Sequence, residues 1–114
     1  MTVSKTVDAN STVSLIQLER FAGAVCGQAY VTCSTAGFSV AKVYSFARQY
    51  DNSAVITIHS DTGTFQNNDF DLVNITHSGW HFIFGVFNYC SFSANITATF
   101  MIGGHTENLQ VTTL

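Results

Sequence analysis

The sequence contains no proline, and charged residues make up only 10% of its 114 residues. Soluble domains usually carry about 25% charged residues and cover their surface with them. The shortage predicts a surface of serine, threonine, asparagine and glutamine that also leaves apolar area exposed. Because exposed apolar area usually marks an interface, we expect this chain to be a subunit of a larger assembly. The alternative is a monomer that hydroxyl and amide groups keep in solution.

Positive charge is especially scarce. The four basic residues are Lys5, Arg20, Lys42 and Arg48, and the net charge is −3. Binding to phosphates requires several Lys or Arg side chains on one face. We therefore expect neither a nucleic-acid partner nor attraction to an anionic membrane surface.

Long apolar runs are also missing. The longest, Phe82 to Phe87, is interrupted by Gly85 and is too short to cross a bilayer, so no membrane insertion is expected. The first twelve residues are polar and lack the apolar stretch of a signal peptide. The sequence predicts synthesis in the cytoplasm without a signal peptide.

The three cysteines are too few, and odd in number, for a disulfide framework. Cys26 and Cys33 fall in one extended segment. Seven strand residues span about 23 Å, whereas a disulfide tolerates about 7 Å between Cα atoms. We expect reduced, half-buried thiols, and pairing of Cys90 with either of the others stays open.

Apolar residues recur at every second position, which is typical of β-strands. Turn signals separate about eight such runs at the spacing of a sandwich or barrel. We predict an all-β, single-domain antiparallel β-sandwich over residues 13–114, preceded by an N-terminal arm over residues 1–12. The predicted strands begin near Val13, Ala29, Phe38, Ala54, Phe70, Trp80, Ile96 and Leu109.

Few residues suggest catalysis. Asp61-Thr62-Gly63 matches the catalytic triplet of dimeric aspartic proteases, but His59 and Ser60 precede it where that family has apolar residues. An ordinary hairpin turn is the favoured interpretation. His77 and His81 are four residues apart, a spacing that brings metal ligands together on a helix, but Ser78-Gly79 between them favours a turn and a strand. No glycine-rich phosphate loop is present. We assign no catalytic residue, no metal and no cofactor.

The layout resembles the small jelly-roll domains, similar to tumour-necrosis-factor and C1q folds, of phage virion proteins. The resemblance extends from about Val13 to Val111. It rests on the order of Gly27–Thr32, Phe38–Phe46, Ile56–Gly63, Gly79-Trp80 and Asn95–Phe100. It implies a jelly-roll-like sandwich, a trimer, and a place in a virion as a fibre head, capsid decoration or collar part, with host glycans as ligands of some members. Phe84–Tyr89 also resembles a strand of the mushroom fruit-body lectins.

The aromatic residues of the C-terminal third suggest an interface. Phe82 and Phe84 alternate with Phe87 and Tyr89, so one strand has bulky residues on both faces and needs cover on both. In a two-layer sandwich the second cover must come from another chain. We predict an oligomer interface that includes Phe87, Tyr89 and Phe92. The alternative places the aromatics inside the sandwich.

Two polar loops are the candidate sugar contacts, because an aromatic ring beside amide and carboxylate acceptors suits a pyranose. They comprise Tyr50, Asp51 and Asn52, and Asn67, Asn68 and Asp69. Asp69 and Asp71 would point to one side of a strand, as a calcium or glycan site or, more simply, as a solvated strand start. We expect a non-enzymatic subunit of a phage particle, a homotrimer with other virion proteins and glycans as further partners. A soluble oligomeric lectin is the alternative.

Overall fold

The computed structural model describes residues 1–19, 24–35, 38–49, 54–63, 70–78, 81–104 and 109–114, and these form nine β-strands in two antiparallel sheets. The strands are β1 (Thr2–Val7), β2 (Ser11–Glu19), β3 (Ala24–Thr35), β4 (Phe38–Gln49), β5 (Val55–Gly63), β6 (Phe70–Ser78), β7 (His81–Asn88), β8 (Ala94–Gly104) and β9 (Gln110–Thr113). The predicted all-β sandwich is confirmed.

Sheet A has the strand order β1-β8-β3-β4-β5, and sheet B has the order β6-β7-β2-β9. The chain changes sheets between β1 and β2, β2 and β3, β5 and β6, β7 and β8, and β8 and β9. By contrast, β3, β4 and β5 form a meander in sheet A, and β6 and β7 are adjacent in sheet B. The jelly-roll type stays a prediction.

β1 is additional to the eight predicted strands and lies within residues 1–12, which are predicted to form an N-terminal arm. Residues Thr2–Val7 pair with β8 along the edge of sheet A. Val3 and Val7 are buried in the core, while the alternate residues point outward. Two valines among polar residues are a weak signal, and pairing with β8 is what turns them into a strand.

Four phenylalanine rings from both sheets form the centre of the core. Phe84 of sheet B lies 4.7 Å from Phe46 and 5.9 Å from Phe100 of sheet A, between ring centroids. Phe82 contacts Phe84 edge to face at 4.9 Å. The inward alternation of Phe82, Phe84 and Val86 agrees with the sequence pattern, because all three are fully buried.

A β-bulge in β2 breaks the predicted alternation there. The pairing of β2 with β7 shifts between Ser14 and Ile16, with Leu15 as the extra residue. Leu15 and Ile16 are consecutive, yet both are fully buried. A bulge places two residues opposite one and so lets neighbours in sequence share the core side.

Two of the four cations lie inside the protein. Lys42 is 5% exposed and Arg48 is 2% exposed, both on the inner face of β4. The Lys42 Nζ donates to the Phe70 carbonyl at 2.9 Å and lies 4.9 Å from the centre of the Phe70 ring. The Arg48 guanidinium lies 4.9 Å from the centre of the Phe82 ring. The surface is therefore even poorer in positive charge than the composition indicates.

The prediction of a hairpin turn at Asp61-Thr62-Gly63 is wrong. These residues continue β5 and pair with Lys42, Ala41 and Val40 of β4. The Asp61 carboxylate lies 3.7 Å from the Lys42 Nζ, which gives the buried ammonium a counter-ion at the sheet edge. The strand continues because pairing with β4 outweighs the local turn propensity of Asp and Gly.

The cysteines are thiols, with Cys33 and Cys90 buried and Cys26 exposed. Cys26 and Cys33 share β3, as the sequence predicted. Among the described residues, no helix has the length and apolar character to cross a membrane.

Candidate functional site: an apolar sheet face and the cleft beside it

The solvent side of sheet B carries a cluster of apolar side chains. We call this cluster the apolar patch. Its members are Val73 and Ile75 of β6, Ile83 and Phe87 of β7, and Tyr89 directly after β7. Ile75 and Tyr89 are exposed, and the other three are half-buried. The inner face of β7 is already fully covered, so the patch lies outside a complete core.

Gly85 lets the patch pack tightly at its centre. A Cβ atom at Gly85 would lie 2.2 Å from the Ile75 Cδ1 and 2.3 Å from the Val13 carbonyl oxygen. The Ile75 side chain therefore rests directly over the glycine. A bulge between Asn74 and Thr76 sets this position. It is supported by Asn74, whose Nδ2 donates to the Ile83 carbonyl at 3.2 Å.

Phe87 and Tyr89 meet at one end of the patch, with ring centroids 4.5 Å apart. Tyr89 is 44% exposed, and Phe92, in the connection from β7 to β8, is 40% exposed. The structure therefore divides the C-terminal aromatics. Phe82, Phe84 and Phe100 lie inside, whereas the three residues predicted for an interface face outward or are half-buried. Their role in an interface stays a prediction.

Asn88 fixes the connection that carries these rings. Its side chain is fully buried, and its Nδ2 donates to the carbonyls of Val7, Asp8 and Phe92 at 3.0–3.2 Å. Its Oδ1 accepts from the Cys90 N–H at 3.0 Å. One amide therefore ties the β1–β2 turn to the connection between β7 and β8 and holds the exposed aromatics in place.

The solvent side of sheet A has a different character. Side-chain hydrogen bonds link β1 to β8 along it, and Tyr30 and Met101 are exposed there. The linked pairs are Thr2 with Thr99, Ser4 with Thr97, and Thr6 with Asn95, at 2.9–3.0 Å. Hydroxyl and amide groups thus take the place of charge on this face.

A cleft of about 250 Å³ opens beside the apolar patch, between the edge strands of the two sheets. The Tyr44 hydroxyl reaches across the cleft and donates to the Asp71 Oδ1 at 3.4 Å. Four aliphatic side chains and a second tyrosine complete the described lining. They are Ile56, Ile58, Leu72, Val73 and Tyr89.

For Asp71 the sequence leaves open a calcium or glycan site or a solvated strand start, and the structure places the residue at this cleft. Tyr44 and Val73 were missed as site residues. The sequence does contain a signal for Val73, because Phe70–Ile75 has apolar residues at both even and odd positions, so both faces of β6 carry apolar side chains.

The predicted sugar contacts Tyr50, Asp51, Asn52, Asn67, Asn68 and Asp69 lie outside the described residues. Among the residues that are described, no group of three or more His, Cys, Asp or Glu side chains could hold a metal ion.

Comparison with known proteins gives a likeness of fold. No family model and no curated protein sequence matches the chain. The fold is similar to part of the tailspike protein of Acinetobacter phage vB_ApiP_P1, with a TM-score of 0.61 and 12% identity. The match covers 97% of this chain but 22% of the tailspike chain. At this identity the likeness shows a shared fold alone.

Proposed function

We propose that this chain is a non-enzymatic structural or interaction subunit of a phage particle, which self-assembles through the apolar patch. The observation that carries the proposal is a second apolar layer on the solvent side of β6 and β7, whose inner residues Phe70, Leu72, Phe82, Phe84 and Val86 are already buried. The low charge content and the fold shared with part of a phage tailspike support it. A homotrimer, other virion proteins as partners and location in the virion complete the proposal.

Two exposed rings, Tyr89 of the patch and Phe92 in the connection that follows it, supply a sizeable driving force. Aromatic side chains bury about 150–250 Å² each. Exposures of 44% for Tyr89 and 40% for Phe92 thus leave roughly 130–210 Å² for a partner to cover. At about 25 cal/mol per Å², this area is worth about 3–5 kcal/mol per copy before the entropy of association is subtracted.

The test compares two tyrosines of similar exposure on opposite sheets. Tyr89 lies in the patch, and Tyr30, which is 50% exposed, lies on the solvent side of sheet A. Tyr89→Glu and Tyr30→Glu introduce the same charge and remove the same ring. Native mass spectrometry at micromolar concentration measures the oligomeric state, and circular dichroism confirms that both variants fold.

We expect the unaltered chain to be oligomeric, Tyr89→Glu to be monomeric, and Tyr30→Glu to retain the oligomer. A chain that stays monomeric up to tens of micromolar would contradict the proposal. Dissociation by Tyr30→Glu alone would move the interface to sheet A and also contradict it.

The proposal also includes contact between this chain and host glycans. It assigns the sugar to the loops with Tyr50, Asp51 and Asn52 and with Asn67, Asn68 and Asp69, where rings, amides and carboxylates occur together. A glycan array tests it, with loss of the signal expected for Tyr50→Ala and Asp69→Ala. An array without any specific signal would remove glycans from the proposal.

A further inference from the structure

We infer that the cleft beside the apolar patch is a receptor for an arginine side chain of a different protein. The inference goes beyond self-assembly, because it concerns a different kind of contact, centred on Asp71, in a cleft that shares Val73 and Tyr89 with the apolar patch. It rests on the charge, shape and lining of the cleft.

The size of the cleft limits its occupant. Sites for drug-sized ligands measure about 300–1,000 Å³, and this cleft measures about 250 Å³. It is therefore suited to one side chain or a comparably small group. It is also open to solvent at the sheet edges, where a protruding side chain of a partner can enter.

The lining combines a long aliphatic wall with one negative group. Ile56, Ile58, Leu72 and Val73 provide the wall, and the Asp71 carboxylate provides the charge. Arginine pairs a three-carbon stem, which packs well on aliphatic surface, with a planar cation. The stem matches the wall, and the guanidinium matches the carboxylate.

The polar groups of the cleft also match a guanidinium. The Tyr44 hydroxyl donates a long hydrogen bond of 3.4 Å to the Asp71 Oδ1 and so uses part of the carboxylate's capacity to accept. A carboxylate offers about four lone-pair sites, so Asp71 retains the capacity for a two-pronged pairing with arginine. The exposed Tyr89 ring in the same lining offers a face on which the cation can stack.

A saccharide fits this lining less well. A pyranose presents many hydroxyl groups, and each one that is buried without a partner is costly. Among the described lining residues, three side chains are polar and four are aliphatic. Most hydroxyls of a sugar would therefore face hydrocarbon.

The guanidinium is expected from another protein rather than from a copy of this chain. The sequence has two arginines, Arg20 and Arg48. Arg48 is 2% exposed and so is not available to a neighbour, and Arg20 lies outside the described residues. The negative net charge of −3 also favours a basic partner.

The test uses matched small probes and a matched control variant. N-acetylarginine amide is titrated into the full-length protein and followed by two-dimensional NMR. Nα-acetylcitrulline amide has the same shape without the charge, and Nα-acetyllysine amide has an ammonium charge without the planar fork. Methyl galactoside represents a sugar. The variants are Asp71→Asn and Asp8→Asn, the second being an exposed carboxylate in the β1–β2 turn.

We expect millimolar binding of the arginine probe, with shifts at Tyr44, Asp71 and Tyr89. An exposed ion pair and a cation–ring contact together predict about tenfold weaker binding of the citrulline probe. Asp71→Asn should remove that preference, whereas Asp8→Asn should keep it. The lysine probe should bind more weakly than the arginine probe.

Equal binding of the arginine and citrulline probes, no binding at 50-fold excess, or shifts at the cleft with the sugar alone would each overturn the inference. Native mass spectrometry of Asp71→Asn distinguishes loss of arginine binding from loss of the proposed self-assembly. That variant should retain the oligomer, so the two proposals fail through different measurements.

Discussion

Replacement of Asn88 by alanine should destabilise the protein strongly, because this fully buried amide serves four backbone groups. Its NH₂ group has two hydrogens for three carbonyls, so the donated bonds are shared, and the total is about three full hydrogen bonds. At about 0.5–1.5 kcal/mol each, the expected loss is about 3 kcal/mol. This corresponds to a decrease in Tm of roughly 10–20 °C for a domain near this size.

Urea denaturation followed by tryptophan fluorescence measures the free energy of unfolding, and Asn95→Ala is the matched control. Asn95 lies on β8, is exposed, and accepts one hydrogen bond from Thr6 at 2.9 Å. Its replacement should change the free energy of unfolding by less than about 0.5 kcal/mol. A loss below 1 kcal/mol for Asn88→Ala would refute the view that this amide holds the two connections together.

Asn88→Asp provides a second measurement at the same site. The carboxylate would keep the hydrogen bond from the Cys90 N–H but would turn an oxygen toward three carbonyls. Burial and these oxygens should raise the pKa of the new carboxyl above about 3.9, its unfolded value. Relative to the unaltered protein, the variant should therefore lose stability as the pH rises above that value and recover as the pH falls. A stability difference that is independent of pH would contradict this account.

Two further predictions concern packing and charge. Gly85→Ala should cost about 2–3 kcal/mol in the free energy of unfolding, because the new methyl group meets the Ile75 Cδ1 at 2.2 Å and the Val13 carbonyl at 2.3 Å. Adding Ile75→Ala should recover only part of the loss in the same denaturation assay, since the contact with the backbone remains; full recovery would contradict this. Lys42→Ala should cost about 2–3 kcal/mol, because a buried carbonyl of β6 loses its donor. Asp61→Asn should cost less than about 1 kcal/mol, because that carboxylate is 53% exposed. A larger loss for Asp61→Asn than for Lys42→Ala would contradict this account of the buried lysine.

The sequence by itself determined the fold class. Alternating β-branched and aromatic residues, separated by Gly, Asn and Asp, favour strands whatever the tertiary context. The pattern also places Phe82, Phe84 and Val86 together on one face of their strand. The sequence does not predict β1 in the same way, because two valines among polar residues are a weak strand signal. The strand forms because it pairs with β8.

Only the tertiary structure decided which side of each strand is covered. β6 and β7 have apolar residues on both faces, so the alternation along each strand does not show which face packs against sheet A. The burial of Lys42 depended on stacking of the sheets, because the Phe70 carbonyl that accepts from it lies 28 residues away in sequence. The cleft likewise joins Tyr44 to Asp71 across two sheets. Periodicity reports on neighbours along one strand, whereas burial depends on the layer that packs against it, and that layer comes from distant parts of the chain.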